Sequence, residues 1–111
     1  MTTYIYRKLS ANNATGLLIK AGTGVLVGWS IKNTANAVRY VKFYNKVSAP
    51  TVGTDTPVIT LAIPANGAIS FSHNEGINFS DGIGIGIVTG VADNDTTAPS
   101  ANDVVANVFY Q

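Results

Sequence analysis

The sequence predicts an all-β fold, a single-domain antiparallel β-sandwich of jelly-roll or Greek-key type with about eight strands. Large apolar residues recur at every second position in several short runs, which is the period of a strand with one buried face. Clusters of Asn, Gly, Pro, Ser and Thr separate those runs. No stretch repeats apolar residues at helical spacing, and many short strands with regular turns make a sandwich.

The elements follow in order. A first strand is expected near Thr3–Leu9 and, after the turn Ala11-Asn12-Asn13, a second near Thr15–Lys20. Beyond Ala21-Gly22-Thr23-Gly24, the run Val25–Asn33 places Val25, Val27, Trp29 and Ile31 on one face and Gly28, Ser30 and Lys32 on the other. Asn33-Thr34-Ala35-Asn36 leads into a strand at Val38–Tyr44. Ile59, Leu61 and Ile63 alternate with Thr60 and Ala62; Ile69, Phe71 and His73 alternate with Ser70 and Ser72. Between them, Pro64-Ala65-Asn66-Gly67 reads as a hairpin, because a type I′ turn needs positive φ at both central positions. Ser80-Asp81-Gly82 precedes a strand at Ile83–Val91, and the last strand is Val104–Tyr110.

Two loops, Lys46–Pro57 and Ala92–Asp103, are longer than a hairpin requires. Such connections either cross between sheets or serve as contact arms. In Ile83-Gly84-Ile85-Gly86-Ile87, the glycines together with Gly90 clear one side of the strand for something large. Trp29 or a tyrosine from within the chain would fill that space, or another subunit would.

At 111 residues the chain supports one domain, 1–111, able to bury roughly 65% of its unfolded surface. A hydrophobic content of 46% against 12% charge excludes a disordered chain. There is no cysteine, hence no disulfide framework and no thiolate metal site. The N-terminus lacks the pattern of a signal peptide, and the apolar runs are too short to cross a bilayer. A soluble protein without a membrane partner is expected.

Nothing resembles a catalytic site, so the chain is not expected to be an enzyme, and no cofactor or metal is expected. The lone histidine, His73, continues the inward face of Ile69 and Phe71 and reads as a packed or rim residue. His73-Asn74-Glu75 has the spacing of a deaminase His-x-Glu but lacks the paired cysteines. Asp93-Asn94-Asp95 opens like a calcium loop, yet Ala98 and Val104 stand where an EF-hand needs Gly and Glu. An irregular site of Asp93, Asp95 and Asp103 is the alternative to a solvated loop. Val38–Tyr44 is the densest basic and aromatic cluster, but alternation leaves only Lys42 between Tyr40 and Tyr44 on one face. That is a weak phosphate footprint, so no nucleic acid is expected; glycan stacking on Tyr40 and Tyr44 fits the same residues.

All seven basic side chains lie within the first 46 residues, and all six acidic ones lie after residue 54. The basic residues fall mainly on strands, the acidic ones in turns and loops. Distant segments of a Greek-key fold are adjacent in space, so this pattern points to cationic sheets and anionic loop tips that could pair between subunits.

The succession Arg39-Tyr40-Val41-Lys42-Phe43-Tyr44-Asn45-Lys46, Ala49–Val58, Ile63-Pro64-Ala65, Gly76-Ile77, Asp93–Thr97, Ala101–Val104 and Val108-Phe109-Tyr110 resembles small β proteins of tailed-bacteriophage particles. It is similar to capsid decoration, or cement, proteins and related head accessory proteins. The resemblance implies a structural virion protein on the capsid surface, synthesised in the host cytoplasm and bound to the major capsid protein. It also implies a homo-oligomer, with a trimer expected at local threefold positions. A glycan- or receptor-binding module of a tail or fibre is the alternative. Contact residues are expected where a sandwich most readily lends chain to a neighbour: Tyr4, Tyr6, Arg7 and Lys8 on the first strand, and Thr51, Thr54, Asp55 and Thr56 in the loop.

Overall fold

The computed structural model describes residues 1–111. Its period-two segments form β1 (Tyr4–Leu9), β2 (Leu17–Ala21), β3 (Gly24–Asn33), β4 (Arg39–Asn45), β5 (Ile59–Ile63), β6 (Ala68–Phe79), β7 (Gly82–Val88) and β8 (Val104–Tyr110). They make two four-stranded sheets, ordered β1-β8-β3-β6 and β2-β7-β4-β5. All pairs are antiparallel. Only β4 and β5 are both consecutive in sequence and paired; every other connection passes to the opposite sheet. This is a jelly roll, and its long-range pairings close the sandwich around one core.

That core is drawn from both layers. Leu26, Trp29, Ile31, Phe79, Val104, Ala106 and Val108 meet Val41, Phe43, Ile63, Ile83, Ile85 and Ile87. The rings of Trp29 and Phe43, 5.8 Å apart, tie the sheets together at the centre. Each such side chain removed from water stabilises the fold by about 1.5–3 kcal/mol before entropy is subtracted.

The structure corrects the phase of β3. Its pairing shifts between Leu26 and Gly28 against both neighbours. Val27 is the extra residue of a bulge, so Leu26, not Val25 or Val27, joins Trp29 and Ile31 inside. Strict alternation cannot register an inserted residue.

β6 is longer than its alternating run suggests. Residues 73–76 oppose only Val27 of β3, because Leu26 pairs with Ile77 and Gly28 with Ser72. The excursion is held by Gly76, whose N–H donates to Nδ1 of His73 at 2.9 Å. Gly76 has φ of 77°, and a Cβ there would strike Val25 and approach Val27, so no other residue fits. His73 is consequently exposed on an edge rather than packed on an inward face.

Pro64–Gly67 is not a hairpin. β5 and β6 lie in different sheets, and only Asn66 of the two central candidates has positive φ, at 52°. The N–H of Gly67 donates to the Pro64 carbonyl, giving a turn with Asn66 at its left-handed third position. The crossover is anchored by Asn33, which is wholly buried. Its Nδ2 donates to the carbonyls of Ala37, Ile63 and Pro64, and its Oδ1 accepts from the Ala35 N–H. One amide therefore holds the β3–β4 connection against the end of β5.

Removing that amide leaves buried backbone groups without partners, each costing about 1–3 kcal/mol. Asn33→Ala is expected to lower stability by about 3 kcal/mol in urea unfolding, whereas Asn36→Ala, at an exposed neighbour, stays within about 0.5 kcal/mol. Equal effects of the two changes would show that Asn33 does not anchor the crossover.

Candidate functional site: an open sheet face and its edge strand

The two outer faces of the sandwich differ. On the β2-β7-β4-β5 sheet, the glycines of β7 leave room that the long loops occupy. A Cβ on Gly84 would lie 2.8 Å from the Pro50 ring, one on Gly86 2.7 Å from Val52 and 3.4 Å from the Tyr44 ring, and one on Gly90 2.6 Å from the Asp95 carboxylate. Tyr44 fills the cleared space; Trp29 does not, because it faces the core. Lys42 is also wholly buried here, its Nζ donating to the Ala92 carbonyl. Loop 46–58 joins β4 to β5 within one sheet, so it covers a face instead of crossing between layers; loop 89–103 does cross, from β7 to β8.

This burial removes the stacking surface expected of β4. Tyr44 is 1% exposed, and its hydroxyl is enclosed without a partner, so Tyr40 and Tyr44 do not form a glycan platform. Burial raises the pKa of Tyr44, with the charges of Asp55 and Asp93 adding to the rise.

Two ion pairs join opposite charges within the chain. Arg39 Nε lies 3.1 Å from Asp103, and Lys46 Nζ 2.5 Å from Asp55. Asp55 also accepts from the Thr51 N–H at 2.7 Å. The Lys46 and Thr51 bonds hold its carboxyl below the usual carboxylate range, against a small opposing effect of burial. At Asp95, desolvation pushes the pKa up but is outweighed by bonds from the Thr97 hydroxyl and N–H, the Gly90 N–H and the charge of Lys42. Asp103 meanwhile faces Arg39. Asp93, Asp95 and Asp103 thus do not converge on a cation; no group of three such ligands is formed. Two of the opposite-charge pairs, Arg39–Asp103 and Lys46–Asp55, thus form within the chain.

The β1-β8-β3-β6 sheet has no such cover. Its register defines three outward rows across the strands: Ile5-Phe109-Gly28-Ser72, Arg7-Asn107-Ser30-Ser70 and Leu9-Val105-Lys32-Ala68. These rows contain two cations, Arg7 and Lys32, and no carboxylate. The β1 edge carries three exposed apolar side chains, Ile5 at 69%, Tyr4 at 55% and Leu9 at 40%, while Val47, Val58 and Val91 are exposed singly around the loops of the other sheet.

Of the expected contact residues, Tyr4, Tyr6, Arg7 and Lys8 lie together on β1. Arg7 faces outward and is exposed, whereas Tyr6 packs against the core and its pKa is raised by burial. Tyr4 is 5.7 Å from the Tyr110 ring. Thr51, Thr54, Asp55 and Thr56 sit over the opposite sheet, in a turn closed by the N–H groups of Thr54 and Asp55 bonding to the Thr51 carbonyl. The two groups do not form one surface. Ile5, Leu9 and Phe109 were not among the expected contacts, although the alternation Ile5, Arg7, Leu9 marks Ile5 and Leu9 as one face of β1; Phe109 joins them from β8.

Near the middle of the open face lies a shallow depression of about 350 Å³, lined by Trp29, Ser30, Ser70, Phe71, Ser72 and Phe109. Gly28 keeps it low: a Cβ there would strike the Phe71 carbonyl and come within 3.4 Å of the Phe109 ring.

No protein-family model matches this sequence, and no curated protein matches it. Among solved structures, the chain is similar to PirA with a TM-score of 0.46 and 9% identity, over 96% of this chain and 92% of that one. It is similar to Tobacco streak virus coat protein with a TM-score of 0.44 and 13% identity, over 98% and 85% of the two chains. For infectious bursal disease virus VP2, the TM-score is 0.40 and the identity 13%, over 97% of this chain and 32% of that one. These are likenesses of overall strand arrangement only.

Because the folded pKa values of Asp55 and Asp95 are lowered, their ties are intact above the ordinary carboxylate value and are lost as pH falls through the lowered ones. In an NMR titration, the Thr51, Gly90 and Thr97 amides are expected to shift with midpoints below that ordinary value. Midpoints at or above it would mean that the loops are not held by these carboxylates.

Proposed function

We propose that this chain is a structural virion protein, a capsid decoration protein that attaches to the major capsid protein of a phage head through β1 and the adjoining part of the open sheet. The observation that carries this reading is the asymmetry of the sandwich. The centre of one sheet, over β7 and the Lys42–Tyr44 part of β4, is covered by the chain's own loops, while the other presents an uncovered edge strand with Ile5, Tyr4 and Leu9 exposed beside Arg7 and Lys8. An exposed edge offers unpaired backbone groups, and apolar side chains at that edge add area to a protein contact. The resemblance of Arg39–Lys46, Ala49–Val58 and the later segments to phage particle proteins supports the choice of partner.

Binding rather than catalysis is proposed. The single imidazole, His73, is occupied at Nδ1 by the Gly76 N–H and faces solvent at an edge. Assembly as a trimer on the capsid surface would let modest single contacts act together, since linked sites raise the effective concentration of the next. The cationic edge argues against β1 pairing with β1 of a second copy, because Arg7 and Lys8 would be brought near their own equivalents.

Purified protein is expected to co-sediment with heads that lack it and to raise their resistance to heat. Ile5→Asp combined with Leu9→Asp is expected to weaken that binding at least tenfold with little change in the protein's own melting temperature, as both side chains are exposed. Wild-type protein that neither binds such heads nor protects them would overturn the assignment.

A further inference from the structure

We infer that the depression over Gly28 is a saccharide subsite, taking one pyranose ring of a neutral glycan. It spans β8, β3 and β6, and its Phe109 pairs with Ile5 of β1, so the site adjoins the edge proposed to hold the head. The inference is argued from the lining of the depression alone and does not depend on that attachment.

Its lining defines the ligand class. Ser30, Ser70 and Ser72 are outward-facing neighbours on β3 and β6, all exposed, and the register sets Ser30 directly opposite Ser70 and Ser72 opposite Gly28. Each hydroxyl both donates and accepts, as the hydroxyls of a sugar do. Phe109 stands beside them, opposite Gly28 on β8. Its ring face carries partial negative charge and attracts the weakly positive C–H groups on the apolar side of a pyranose. Trp29 and Phe71, stacked 4.7 Å apart, point their rings to the other side of the sheet and stiffen the floor.

Charge and size narrow the choice further. No ionisable side chain lines the depression. Arg7 and Lys32 occupy the flanking positions, two strands and one row away respectively, so nothing within it would recognise a phosphate or carboxylate directly. At about 350 Å³ the volume is at the small end for ligand sites and suits a single ring rather than an extended cofactor. Asn107, beside Ser30, donates Nδ2 to the Ser30 carbonyl and so holds the wall in place. Tyr40 and Tyr44, which fit glycan stacking by sequence, are not the aromatic groups of this site; Phe109 is.

An open site with one ring contact binds weakly, and repetition on an assembled particle would raise the avidity. The test uses the full chain, labelled with ¹⁵N and titrated with glucose, galactose, mannose and N-acetylglucosamine, with glycerol as the hydroxyl control. At least one sugar is expected to shift the amides of Ser30, Ser70, Phe71, Ser72 and Phe109 along one saturating curve, while glycerol does not. Phe109→Ala should weaken that binding tenfold or more, and Ser72→Ala should weaken it less. Since Phe109 is half-buried, its variant is checked by retention of the remaining amide spectrum, and Ser72→Ala, at an exposed position, serves if that check fails. The inference is overturned if none of the four sugars shifts these amides, if glycerol shifts them equally, or if a folded Phe109→Ala or Ser72→Ala variant binds as the wild type does.

Discussion

The glycines at 84 and 86 on the outer side of β7, with Gly90 just beyond its end, are the constraint on which the rest of the molecule depends. Gly84 and Gly86 admit Pro50, Val52 and the Tyr44 ring, and Gly90 admits the Asp95 carboxylate. With that space filled, Lys42 and Tyr44 can be buried on the outside of a sheet, and two loops become part of the packed structure. Side chains at those glycine positions would lift both loops and expose a lysine and a tyrosine. Loop 46–58 is then secured by Lys46 and Asp55, and loop 89–103 by Asp95 and by Lys42 bonding to Ala92.

Sealing one face fixes which face is available. Jelly rolls bury the inner sides of both sheets, so a partner has only outer faces, edges and loop ends to meet. Here one outer face is taken by the chain itself, and the free edge at β6 is interrupted by the 73–76 excursion, a device that blocks edge-to-edge pairing. Of the first sheet's two edges this leaves β1, with the sheet behind it. That sheet is free of carboxylates in its outward rows, while Asp55 and Asp103 are drawn into ion pairs elsewhere.

Strand content was legible because period-two alternation is a local property: β5 and β8 fall at Ile59–Ile63 and Val104–Tyr110, as the alternation places them. The glycines of β7 were legible as clearance, but their occupant was not, since Pro50 and Tyr44 reach them from remote positions in the chain. The bulge at Val27 and the excursion at 73–76 escaped alternation because an inserted residue reverses the phase without altering composition. Asn66-Gly67 carried a hairpin signal, yet the turn changes sheets; tertiary packing around Asn33 decided the direction of the chain. Of the site, the strand that carries Arg7 and Lys8 was legible from the alternation near Thr3–Leu9. Phe109 was not, because its role depends on Gly28 lying opposite it across the sheet.

The central claim is that the chain seals one sheet with its own loops and leaves the other open. Acylation of lysine amines, followed residue by residue with mass spectrometry, tests it directly. Lys42 is wholly buried and Lys32 exposed, so Lys32 should be modified readily while Lys42 remains unmodified until the protein unfolds. Gly86→Val, which places a branched side chain against Val52 and Tyr44, should make Lys42 reactive in the folded protein. Modification of Lys42 in the wild-type protein at the rate of Lys32 would contradict the account.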